Sequence, residues 1–188
     1  NNVTMDTQLR FANLGVTSTN ITVTIAGVAQ TPITVPAGQS TRVSYPGINN
    51  GPVKVQSSGG VPIIVAERDA WLINGVVRSF SEMMGLPANQ LTDTYYFPWY
   101  NNVTMDTQLR FANLGNTSTD ITVTIAGVPQ TPITVAAGQS TRVSYPGINN
   151  GPVKVTSTGG VPIIVAERDA WLLNGAVRSF SEMMGLPG

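Results

Sequence analysis

Ile121-Thr122-Val123-Thr124-Ile125 alternates a β-branched apolar residue with a threonine at every step. Successive side chains on a strand point to opposite faces, so this run is a strand with an apolar face and a threonine face. Threonine, valine and isoleucine also favour the extended backbone, and Gly127 stops the run. Working outward, the same grammar recurs. Thr107 to Asn113 sets Leu109 and Phe111 against Gln108 and Arg110, and Gly115 to Thr119 is a turn cluster. Pro132-Ile133-Thr134-Val135 is a short strand, and Thr141-Arg142-Val143-Ser144-Tyr145 follows, stopped by Pro146-Gly147. Asn149-Asn150-Gly151-Pro152 is a turn, and Val153-Lys154-Val155 alternates again. Pro162 to Arg168 is apolar on both faces, which predicts a central, fully buried strand, with Trp71 and Trp171 capping the core beyond it. Asn174-Gly175 is a hairpin turn. Ser181-Glu182-Met183-Met184 is the one stretch where a short helical turn is expected.

The chain is also a duplication. Residues 1–88 align on 101–188 at a constant offset of 100 with nine differences, at positions 16, 20, 29, 36, 56, 58, 73, 76 and 88. A period of that length is a whole domain rather than a solenoid turn. Eight short strands per period, each closed by turn chemistry, predict an all-β chain of two tandem immunoglobulin-like antiparallel β-sandwiches of about seven to eight strands. Residues 1–88 form the first domain and 89–188 the second, with 89–93 as linker and 94–100 as an aromatic first strand. That strand occurs once, so the first domain lacks its own copy. Its edge is expected to be filled by another strand or left bare. The phase predicts a piece of a longer array.

Composition narrows the function. Apolar residues make up 41% of the chain and net charge is zero, which indicates a folded chain. Charged residues reach 11%, well below the roughly one quarter of typical soluble domains. Thr, Ser, Asn and Gln supply the polarity instead, a pattern of secreted β-domains, so an extracellular or cell-surface location is expected. Ten basic residues balanced by ten acidic ones argue against nucleic acid as a partner. No run approaches 18 apolar residues, so no membrane insertion is expected. There is no cysteine and no histidine. Disulfides, Ser-His-Asp and Cys-His nucleophiles and imidazole metal sites are therefore out of reach. No catalytic residues, metal or cofactor are expected.

The whole period resembles the immunoglobulin-like repeat domains of large bacterial surface and secreted proteins. The resemblance is carried by Leu109 to Gly115, Ile121 to Ile125, Tyr145 to Gly147, Gly151 to Val155 and Val165 to Arg168. It implies a non-catalytic spacer, scaffold or adhesin repeat of a stalk or filament, partnered by neighbouring copies or by other chains in a fibre.

Four features bear on chemistry. The aromatic run Tyr95, Tyr96, Phe97, Trp99 and Tyr100 is a candidate inter-domain, inter-subunit or strand-donating contact; alternatively its exposed rings bind carbohydrate or a partner. Glu167 and Asp169 share one strand face, as a glycosidase pair or calcium site would, or as a salt-bridged rim. Lys54 and Lys154 are candidates for an intramolecular crosslink to asparagine, although alternation turns them towards solvent. Asn2, Asn20, Asn102 and Asn116 open Asn-x-Ser/Thr sequons, which mark candidate glycosylation.

Overall fold

The computed structural model describes residues 2–3 and 5–188. They divide into two compact units, Asn1–Gly85 and Leu86–Gly188.

The first unit contains β1 (Met5–Asn13), β2 (Thr19–Ile25), β3 (Val28–Ala29), β4 (Ile33–Val35), β5 (Ser40–Val43), β6 (Val53–Ser57), β7 (Ile63–Ile73) and β8 (Val76–Met84). One sheet has the order β5-β1-β7-β8. In the other, β3 and β4 share one edge of β2, while β6 pairs with the opposite edge. All pairings are antiparallel. Alternation dictates what is buried: Leu9 and Phe11 from β1, Ile21, Val23 and Ile25 from β2 and Val35 from β4 form one core cluster, with Thr22 and Thr24 on the opposite face.

The second unit adds strands at its front and back. It contains β9 (Thr94–Phe97), β10 (Tyr100–Asn101), β11 (Met105–Asn113), β12 (Thr119–Ile125), β13 (Val128–Pro129), β14 (Ile133–Val135), β15 (Ser140–Val143), β16 (Asn149–Asn150), β17 (Val153–Ser157), β18 (Ile163–Leu173), β19 (Ala176–Met184) and β20 (Leu186–Pro187). The sheet β15-β11-β18-β19 repeats that of the first unit. The other sheet is extended to β13-β12-β17-β9-β20, with β14 on β12, and β10 and β16 form a separate two-stranded ladder.

The chain is all-β, as its alternation requires, but it is not a pair of immunoglobulin-like sandwiches. An immunoglobulin unit sets its first two strands side by side in one sheet. Here β1 and β2 lie in different sheets, and β1 is held between β5 and the long β7–β8 hairpin. The result is small, blade-like sheets of the propeller kind. Periodicity identifies a strand and its buried face, whereas its partners follow from long-range register, which the immunoglobulin pattern misassigned.

Local expectations fared unevenly. β18 is central, between β11 and β19, but its burial alternates instead of covering both faces, and it runs on to Leu173. The stretch 181–184 is strand, not helix. Trp171 is 46% exposed and caps no core. Asn174 and Gly175 both have positive φ, as a tight hairpin needs. Ala126 and Gly127 do the same between β12 and β13, placing an alanine in the left-handed region.

Candidate functional site

The aromatic segment forms the second unit's most developed feature. β9 inserts between β17 and β20, with Val153 opposite Phe97, Val155 opposite Tyr95 and Leu186 opposite Tyr96. Its period of two sends Tyr95 and Phe97 inward and Tyr96 outward. Pro98, which has no N–H to donate, lies just beyond the strand end. Pairing resumes at β10, where Tyr100 faces Asn150.

Each inward tyrosine is anchored at both ends. The Tyr95 hydroxyl donates to the Ile163 carbonyl at 2.7 Å. The Tyr100 hydroxyl donates to the Thr107 carbonyl at 3.0 Å and accepts from the Tyr145 N–H at 2.7 Å. Its ring meets Tyr145 edge-on, with centroids 6.0 Å apart. Burial raises the Tyr100 phenol above its ordinary pKa, and the charges of Glu167 and Asp106 push the same way; its hydrogen bonds oppose the shift. Tyr145 is pushed up to about 12 by burial and by Tyr100.

Two rings face outward. Trp99 is 51% exposed and Tyr96 is 40% exposed. The Trp99 indole N–H donates to Asn149 Oδ1 at 2.8 Å, which ties the ring to the turn before Gly151. A Cβ at Gly151 would lie 2.4 Å from the Pro98 carbonyl oxygen, so only glycine lets the segment approach there. Asn101 and Asn150 lie on the adjoining β10–β16 ladder, and the exposed Lys154 lies opposite Tyr96.

Glu167 and Asp169 share a strand, but not an accessible site. Glu167 is buried, opposite Leu109, and burial pushes its carboxyl up to about 8, with Asp169 adding to the shift. It is a neutral acid at pH 7. Asp169 accepts a hydrogen bond from the Thr107 hydroxyl. Among the described residues no group of three or more acidic, histidine or cysteine side chains could hold a metal ion. The salt-bridged rim lies elsewhere, on Arg110 and Glu182 at 3.2 Å and Arg10 and Glu82 at 2.6 Å.

Lys54 and Lys154 are exposed, and Lys154 stands between Thr124 and Tyr96 on its sheet. Asn113, a buried asparagine of β11, donates to the Thr117 and Val135 carbonyls. Of the sequon asparagines, Asn20 and Asn116 are exposed. The side-chain amides of Asn2 and Asn102 instead donate to the carbonyls of Thr7 and Thr107.

Sequence reasoning missed two features. Asn149 read only as a turn former, yet it orients the indole. A shallow concavity of about 540 Å³ also lies on the first unit, where Arg10 and Arg42 stand opposite each other on β1 and β5. No short-range signal joins residues 32 positions apart.

No protein-family model matches the chain, and no curated protein matches it. Among solved structures, a fucolectin from the serum of the striped bass Morone saxatilis aligns with 97% of this chain and 78% of its own at 11% identity, with a TM-score of 0.22. A glycosyl hydrolase family 2 member from Bacteroides cellulosilyticus aligns with 97% of this chain and 26% of its own at 10% identity and a TM-score of 0.21. Likeness at that level carries no argument about fold or function.

Proposed function

We propose that this chain is a non-catalytic extracellular repeat whose second unit binds carbohydrate on the outward aromatics, Trp99 first and Tyr96 second. The observation that carries it is the half-exposed Trp99 indole held in place by Asn149. A fixed, exposed indole presents an electron-rich face to the C–H face of a pyranose and loses little rotamer freedom on binding. Asn101 and Asn150 on the adjoining ladder, and Lys154 opposite Tyr96, can hydrogen-bond sugar hydroxyls. Neutral net charge and the amide- and threonine-rich surface suit an uncharged glycan. The test is a glycan array followed by calorimetric titration. Trp99→Ala should weaken binding at least tenfold, about 1.4 kcal/mol, with Tm unchanged. The proposal is lost if no glycan binds the wild-type chain, or if the variant binds equally well.

A second reading, a spacer or filament repeat, is favoured by a different observation. Tyr95 and Phe97 of β9, paired on both edges, and Tyr100 of β10 are core residues, which makes the segment a structural staple.

A further inference from the structure

We propose that the first unit is an acceptor for an extended peptide strand carrying the aromatic pattern of Thr94–Asn101. The two units have nearly the same acceptor sequence in two states. In the second, β17 pairs with β12 on one side and β9 on the other. In the first, β6 pairs with β2 alone among the described residues. The consequence is visible in the core: Val153 is fully buried, while its counterpart Val53 is 37% exposed. Val155, Ile163 and Val165 are buried, whereas Val55, Ile63 and Val65 are only partly covered.

The place that Tyr100 takes in the second unit is a cavity of about 60 Å³ in the first, lined by Thr7, Leu9, Tyr45, Asn50, Val53 and Glu67 among others. Their counterparts at 107, 145 and 150 are the residues that bond, stack on or pair with Tyr100. The frame is already built without the strand. The Asn2 N–H donates to the Ile48 carbonyl at 2.7 Å, as the Asn102 N–H does to Ile148. A preformed edge, an apolar trough and a terminal cavity are the requirements of strand addition: the ladder supplies affinity and alternate side chains supply specificity. The occupant is therefore an aromatic strand with rings at the spacing of Tyr95, Phe97 and Tyr100.

The experiment titrates a labelled peptide of residues 89–101 onto the intact 188-residue chain and maps hydrogen exchange. Saturable binding of one peptide per chain is expected, with exchange slowed at Val53–Ser57 and unchanged at Val153–Ser157. A Tyr100→Ala peptide should bind at least tenfold more weakly, by about 1.4 kcal/mol. Val53→Asp in the protein, at a half-exposed position, should do the same. Absence of saturable binding, equal affinity of the Tyr100→Ala peptide, or protection confined to sites outside β6 would each overturn the proposal. Glycan binding at Trp99 is a separate measurement, and either result stands without the other.

Discussion

Glu167 shows how far one residue's chemistry is set by its cover. Beneath the second unit's core, its carboxyl holds its proton to about pH 8, whereas the ordinary value is 4.5. Between those values the folded chain binds more protons than the unfolded chain, so stability falls as pH rises. The full contribution is present below about pH 4.5 and is gone above about pH 8. Thermal unfolding of the second unit should therefore drop by about 10 °C or more between pH 5 and pH 8.5, up to about 4 kcal/mol. Glu167→Gln should flatten that profile, because an amide has no proton to lose. A wild-type profile that is flat or rises with pH would contradict this assignment.

At the level of the element, β9 is a clamp whose fit is set from the facing chain. Gly185 passes directly over it: a Cβ there would sit 3.0 Å from the Phe97 ring and 3.1 Å from Tyr95 Cβ. In the first unit, a Cβ on Gly85 meets Val65 at an ordinary 3.4 Å. Gly185→Ala should therefore cost about 1–3 kcal/mol in denaturant unfolding, while Gly85→Ala should stay within about 0.5 kcal/mol. Equal effects at the two sites would show that β9 is not what makes position 185 tight. Much of this element was legible beforehand. The alternation in Thr94 to Phe97 marks a strand, and the duplication holds one copy of it within residues 1–188. What could not be read was pairing. Nothing local tells β1 to join β5 and β7, or sends Ala126 to φ 50 in a two-residue turn, where asparagine or glycine is the expected residue. Trp171 illustrates the same gap: its position after an apolar strand suggested a cap, and the bulge between Trp171 and Leu172 interrupts the ladder there.

For the whole chain, near-identity of sequence does not give identity of stability. The second unit buries Tyr95, Phe97 and Tyr100; the first has the same acceptor without them. Aromatic rings are among the largest contributors to a small core. Calorimetry should thus resolve two transitions, the earlier one belonging to the first unit by several degrees, with exchange of β2 and β6 amides as the marker. One transition in which both sets of amides open together would exclude independent units of unequal stability. The bare side of β6 has one more consequence, a colloidal one. A row of unsatisfied backbone donors and acceptors is a template on which like chains can stick, and proteins commonly guard such rows with charge. Here the guard is a single cation, Lys54, flanked by Val53 and Val55. Adhesion between like molecules at this edge would therefore turn on five residues, Val53–Ser57, rather than on the mean hydropathy of the chain.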